Sequence, residues 1–272
     1  MAIDWAQPYG PLIETTLRVV TWNVWGQFGP YEQRWKAIGT VLRDAAPDVV
    51  ALQESWPDGV EVLAGELGLH HAIGTGGDGW EGGAPCAVLS RWPIVRQERR
   101  ALAPMHGPSG GAVLFAEIEG ERGVLQLFSV ILGSFWPYDS EIRQDAVRDL
   151  AAFVVEVGSG RVPAVICGDF NAPPESDEIR MLTGMTRPAA ERFFTYDAWA
   201  MAGDGGPGTT WSRHNPWAAA TLLPERRFDY VLSAWPKPGG AGHPVHCAVI
   251  GEGETEGITP SDHYGVLADL RY

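Results

Sequence analysis

The chain has few cysteines, few cations and no long apolar run, and each scarcity narrows what it can be. Three cysteines, Cys86, Cys167 and Cys247, are widely spaced in apolar runs without a Cys-x-x-Cys pair, which argues against a disulfide framework or zinc knuckle and for small buried hydrophobes. Lys plus Arg is 20 against 34 for Asp plus Glu, a formal net charge of −14, and no long basic block occurs. A duplex binder needs a basic face to neutralise phosphates, so long duplex nucleic acid is a poor substrate. A local basic pocket of Arg91, Arg213, Arg226 and Arg227 stays open, and part of the acidity suits a divalent cation. No apolar stretch reaches membrane-spanning length, and the amino terminus carries Asp4 without a basic region ahead of an apolar core. The expectation is a cytoplasmic, monomeric protein without membrane insertion. No fixed-period repeat is visible either.

What is present suits one globular domain over residues 1–272, with 45% hydrophobic and 20% charged residues. Twelve tryptophans exceed what packing alone asks for, so some are expected to line a cleft.

Patterning predicts strands over Leu17–Trp22, Asp48–Gln53, Cys86–Ser90, Ala112–Ile118, Val124–Leu132, Val162–Cys167, Phe228–Ser233, Val245–Ile250 and Tyr264–Leu270. Helices are predicted from Tyr31 to Ala46, where Pro47 stops the run, from Val60 to Leu67, from Ser140 to Val157 and near Ser176–Leu182. The glycine-rich span Gly74–Gly83, with Trp80, reads as a flexible loop, since a phosphate cradle would have to open a helix. Strand–helix units mixed with hairpins predict an α/β fold, a four-layer sandwich of two stacked mixed β-sheets flanked by helices.

Several predicted strands end in polar residues. Gly168-Asp169-Phe170-Asn171 follows an apolar strand, and Asn23, Glu54 and Asp262-His263 sit at the tips of others. Each has a bland explanation: a turn residue, a surface carboxylate, a cap or a satisfied core histidine. Together they form a hard-oxygen site beside an imidazole, which suits Mg²⁺ and a phosphate better than zinc or an acyl group.

The motifs Thr21-Trp22-Asn23-Val24, Leu52-Gln53-Glu54-Ser55, Leu89-Ser90-Arg91-Trp92-Pro93-Ile94, Gly168-Asp169-Phe170-Asn171-Ala172-Pro173, Thr210-Trp211, Arg227-Phe228-Asp229-Tyr230-Val231-Leu232 and Ser261-Asp262-His263-Tyr264 span nearly the whole chain. Their order resembles the endonuclease/exonuclease/phosphatase superfamily, with its deoxyribonuclease I-like fold. The resemblance implies phosphate-ester hydrolysis dependent on Mg²⁺ or Mn²⁺. It implies that Glu54 holds the metal, with Asn23 and Asp262 in or beside its shell. Asp169 would orient or deprotonate the attacking water, Asn171 and His263 would bond the phosphoryl oxygens, and Asp229 would fix the tautomer of His263.

Three departures stand out. Many relatives carry Thr-His-Leu where this chain has Val130-Ile131-Leu132, so His106 or Tyr138 from neighbouring loops becomes the expected substitute. Gly265 replaces a frequent Pro, for which only a backbone effect is expected. Trp25 stands where some nucleases have an acidic residue, which argues mildly against a repair-nuclease metal site.

The leading expectation is a phosphoesterase for a small or amphiphilic phosphoester, with Trp25, Arg91, Trp136 and Trp211 contacting substrate and Trp80 and Trp217 as further cleft walls. The alternatives are a nuclease for short or single-stranded nucleic acid, relying on stacking, and a non-catalytic binding module that kept the fold.

Overall fold

The computed structural model describes residues 11–75, 84–103, 111–134, 140–158, 160, 162–235 and 238–272. In chain order the elements are β1 (Thr16–Asn23), α1 (Tyr31–Ala45), β2 (Val49–Gln53), α2 (Pro57–Leu67), β3 (His70–Gly74), β4 (Cys86–Ser90), β5 (Ile94–Leu102), β6 (Gly111–Gly120) and β7 (Gly123–Ile131). There follow α3 (Ser140–Val157), β8 (Val165–Asp169), α4 (Asp177–Leu182), β9 (Thr195–Asp197), α5 (Ala198–Ala202), β10 (Asp229–Ala234), β11 (Pro244–Ile250) and β12 (Gly265–Arg271).

The strands form two six-stranded sheets, ordered β11-β12-β1-β2-β4-β3 and β5-β6-β7-β8-β10-β9. At the heart of each lies one parallel pair, β1 with β2 and β7 with β8, and antiparallel strands complete both sheets. The α/β sandwich predicted from sequence is the one observed.

Three apolar layers hold it. Leu17, Val19, Ala51, Leu114, Leu127 and Cys167 are among the residues filling the space between the sheets. Alternate residues of β1 and β2, including Val20, Trp22, Val50 and Leu52, face outward under Ile38 and Leu42 of α1 and Val60 and Leu63 of α2. Phe115, Phe128 and Ile166 meet Val147, Leu150 and Phe153 of α3 on the other side. Both sheets therefore bury both faces, which is why their central strands read as nearly unbroken apolar runs. The three cysteines are free and buried.

One buried polar chain crosses the sheets. Gln53 accepts from Thr21 Oγ1 at 3.2 Å and donates to Ser129 Oγ at 3.0 Å, while Ser129 donates to the Leu52 carbonyl at 3.1 Å. It fixes β2 against β7 one residue before Glu54.

The structure corrects some boundaries. β3, β5, β9 and α5 were not anticipated. β5 carries Arg96, Glu98, Arg99 and Arg100, charges that hide its strand character, and it is the edge of its sheet. The Gly74–Gly83 loop lies outside the described residues beyond Thr75. Among the described residues, no helix is long and apolar enough to cross a membrane.

Candidate active site

Asn23 ends β1, Glu54 follows β2 and Asp169 ends β8, so the carboxyl ends of the parallel strands of both sheets meet. One amide nitrogen marks the meeting point: Nδ2 of Asn23 lies 3.0 Å from Glu54 Oε1 and 3.0 Å from Asp169 Oδ2. The backbone is bent to bring this about. Glu54 and Asn171 hold left-handed φ values of 54° and 47°, sparsely populated for residues with a Cβ and characteristic of functional sites. Gly168 has φ 151°, and a Cβ there would sit 1.8 Å from the Val130 carbonyl oxygen, so no other residue fits.

Asp169 is held on both oxygens. Oδ1 accepts from the Asn171 backbone N–H at 2.8 Å, and Oδ2 accepts from Asn23 and, at 3.3 Å, from Asn171 Nδ2. Asn171 Nδ2 also donates to the Leu132 carbonyl at 2.9 Å. Asp229 pairs in register with Asp169 across β10 and β8, and its Oδ2 is 2.9 Å from Nδ1 of His263. The other ring nitrogen, Nε2, is 3.8 Å from Asp169 Oδ2. His263 is thus oriented by one carboxylate and faces a second.

Three ties hold the loop carrying Asp262 and His263. Ser261 Oγ donates to the Asn23 carbonyl at 2.7 Å. Nδ2 of the fully buried Asn215 donates to the carbonyls of Ser261 at 2.7 Å and Asp262 at 3.0 Å. Trp22 Nε1 donates to the His263 carbonyl at 2.9 Å. Thr210 Oγ1 accepts from the backbone of Phe228 and Asp229, which anchors the strand that delivers Asp229. Gly265 is more than a backbone detail, since a Cβ there would lie 3.0 Å from both Trp22 and Ile250.

So many buried carboxylates repel. Burial, reinforced by Glu54, pushes Asp262 up to about 7, and burial with Asp229 nearby does the same to Asp169 against the pull of His263. Burial also raises Glu54. For His263, burial opposes the charged ring, but Asp229, Asp169 and Asp262 outweigh it and raise its pKa well above the usual value.

A hard divalent cation suits this donor set. Glu54 and Asp262 offer carboxylate oxygens and Asn23 an amide oxygen, and a cation relieves the mutual repulsion of Glu54 and Asp262. Asp169, Asp229 and His263 also bring ligand atoms within 4.8 Å of one another. That trio is occupied internally by the His263–Asp229 hydrogen bond, whereas Oδ1 of Asp229 is buried with no hydrogen-bond partner.

Aromatic rings flank the site. Trp211 meets the His263 ring edge-on at 4.9 Å, and Trp25 lies 5.4 Å from Trp217 and 5.8 Å from Phe28. The Trp25 backbone N–H donates to Asn23 Oδ1 at 3.0 Å, which joins this wall to the strand tip.

Not every expected residue belongs here. Arg91 pairs with Asp48 at 2.9 Å, at the start of β2, while Glu54 follows its end, about 20 Å away at roughly 3.3 Å per strand residue. Antiparallel pairing of β4 with β2 puts it at the wrong pole. Arg227 is buried in a two-pronged pair with Asp197 at 2.7 and 3.0 Å, so Arg91 and Arg227 share no basic pocket. Trp136, Trp80, His106 and Tyr138 lie outside the described residues. Ile131 is in register with Asp169 on the adjacent parallel strand and is 5% exposed, so an apolar side chain does stand at that position.

Sequence reasoning missed Arg34 and Asn215. Arg34 left a signal, because it sits on the same stripe of α1 as Ile38 and Leu42. Asn215 left none.

The Endonuclease/Exonuclease/phosphatase family model matches residues 20–263. The chain belongs to this family, and with it to the phosphoric ester hydrolases that depend on a divalent metal. Solved structures carry the same fold. D. rerio TDP2 complexed with a single-strand DNA product is 20% identical, with a TM-score of 0.76 over 95% of this chain and 100% of that one. A mannosyl-6-phosphatase of Bacteroides thetaiotaomicron VPI-5482 is 18% identical, with a TM-score of 0.74 over 94% and 100%. An endonuclease/exonuclease/phosphatase family protein of Bacteroides thetaiotaomicron, 18% identical, gives 0.73 over 94% and 97%. Comparison with curated proteins finds no match.

Proposed function

We propose that the chain hydrolyses a phosphodiester of a small or amphiphilic molecule by in-line attack of water. The observation that carries this reading is the joint hold of Asn23 on Glu54 and Asp169, which links a cation site to a base within one hydrogen-bonded group.

Glu54, with Asn23 and Asp262, would hold Mg²⁺ or Mn²⁺. The ion supplies charge that stabilises phosphoryl and leaving oxygens. Asp169, fixed by Asn171 and Asn23, orients the water and takes its proton. His263, charged beside its carboxylates, donates from Nε2 to a phosphoryl oxygen, and Asp229 holds Nδ1–H. Asn171 presents the amide hydrogen that otherwise reaches Asp169 at 3.3 Å. Donors aimed at developing charge in this way are each worth roughly 10²- to 10³-fold in rate. Trp25 and Trp211 wall the cleft, Trp217 extends the wall, and a monomer suffices for all of these roles.

A second reading, a nuclease for short or single-stranded nucleic acid, is favoured by the ring run Phe28–Trp25–Trp217, on which bases can stack. The net charge of −14 weighs against longer polyanions. The test is a panel of phosphomonoesters, small and amphiphilic phosphodiesters and oligonucleotides, each with Mg²⁺, Mn²⁺ or chelator. Turnover of small or amphiphilic diesters above all others supports the first reading. Salt-sensitive preference for oligonucleotides supports the second.

A further inference from the structure

Arg34 is 0% exposed, yet among the described residues no carboxylate forms an ion pair with it. Its guanidinium is spent on backbone carbonyls. Nη1 donates to Val24 at 2.9 Å and to Pro260 at 3.0 Å, Nη2 is shared among Trp25, Gly26 and Phe28 at 2.9 to 3.0 Å, and Nε reaches Phe28 at 3.1 Å. The same group lies 4.7 Å from the centroid of the Trp25 ring.

These carbonyls come from two loops that are also tied by the bond from Ser261 Oγ to the Asn23 carbonyl. One follows Asn23 and carries Trp25; the other precedes Ser261-Asp262-His263. In the first, Trp25 holds a left-handed φ of 55°, a costly value for a residue with a Cβ, whereas Gly26 and Gly29 take 46° and 58° freely. Strained backbone of this kind persists where its surroundings over-determine it. A buried charge is costly, and an apolar side chain would fill the stripe of α1 as well as Ile38 and Leu42 do. The cost becomes intelligible when the planar fork is used to set a distance, because five donors in fixed geometry can define a spacing that a lysine ammonium cannot.

We propose that Arg34 is a positioning residue that sets the spacing between the Asn23 and Asp262 loops, so that the cation is held across them, and that locks Trp25 into the cleft wall. This inference rests on the metal assignment proposed above.

The test compares Arg34→Lys and Arg34→Gln with the wild type by calorimetric titration with Mn²⁺, kcat at saturating metal, and thermal melting of the metal-free protein. Both variants should weaken Mn²⁺ binding by about 10- to 100-fold and lower kcat by a similar factor, with no rescue by lysine. Folded variants with wild-type Mn²⁺ affinity and kcat would overturn the proposal, whatever their melting temperature. Gly26→Ala probes the same contact from the loop if the Arg34 variants do not fold. Its Cβ would meet Trp56 Nε1 at 2.7 Å, and the left-handed φ of 46° strains the backbone that presents the Gly26 carbonyl to Arg34. Wild-type Mn²⁺ affinity in Gly26→Ala counts against the proposal as well. A wild type that binds Mn²⁺ but hydrolyses no phosphoester refutes the hydrolytic reading alone, and one that binds no divalent ion refutes both.

Discussion

His263 Nδ1 lies 2.9 Å from Asp229 Oδ2, and the partner carboxylate is completely buried. A proton on Nδ1 is thereby favoured, and Nε2 is aimed at the side where Asp169 lies. An amide in place of Asp229 could donate to Nδ1 and reverse the tautomer. Asp229→Asn should lower kcat by at least ~10²-fold with little change in KM, as expected of a group that orients a catalytic histidine. Steady-state kinetics on an aryl phosphodiester checks it; retention of full kcat would remove Asp229 from the mechanism.

Ile131 stands beside Asp169 in the parallel register but is part of the apolar layer between the sheets. Ile131→Ala should cost about 2–5 kcal/mol through the cavity it leaves, while kcat changes by less than ~3-fold because no hydrogen bond is lost. Urea denaturation beside kinetics separates the two. A large kcat loss at unchanged stability would show that the side chain shapes the reacting centre.

Arg91 joins Asp48 and, at 3.4 Å, Glu121 at the far pole of the sheet. Half-exposed pairs of this kind contribute about 0–1 kcal/mol. Arg91→Ala should leave kcat and KM within ~2-fold and stability within about 1 kcal/mol. A raised KM would restore Arg91 to the substrate site.

The carboxylates set a pH dependence of stability in the metal-free protein. Asp169 and Asp262 are raised to about 7 from an ordinary 3.8. The folded state therefore holds their protons more tightly than the unfolded state. Their contribution to stability is fully present below about pH 3.8 and is lost as pH rises through about 7. His263, also raised, acts in the same direction. Melting with chelator at pH 5 and pH 8 should show Asp262→Asn gaining on the wild type more at pH 8 than at pH 5, and added Mg²⁺ or Mn²⁺ should favour the wild type at pH 8. An equal effect of the substitution at both pH values would contradict the electrostatic account.

The sequence made the sandwich legible because both sheets are covered on both faces, so their central strands are apolar runs with polar tips. Asp169, Asn171, Glu54 and Asp262-His263 stood at those tips, each ordinary alone and legible only as a set. Arg91 could not be placed, since a motif next to a strand does not reveal which pole of an antiparallel partner it occupies. Asn215 reaches the site through backbone carbonyls of a loop 46 residues away, a contact with no periodicity and no compositional mark. β5 was missed for a related reason: an edge strand protected by charge looks like surface.

The central claim is that strand ends from two sheets build one cation-dependent hydrolytic site. Its most direct measurement is hydrolysis of bis-p-nitrophenyl phosphate by the wild type, Glu54→Gln and His263→Ala, with Mg²⁺ or Mn²⁺ and with chelator. The account predicts metal-dependent turnover in the wild type, abolished by chelator, and at least ~10²-fold lower in each variant. Turnover that survives chelator, or that both variants retain in full, would contradict it.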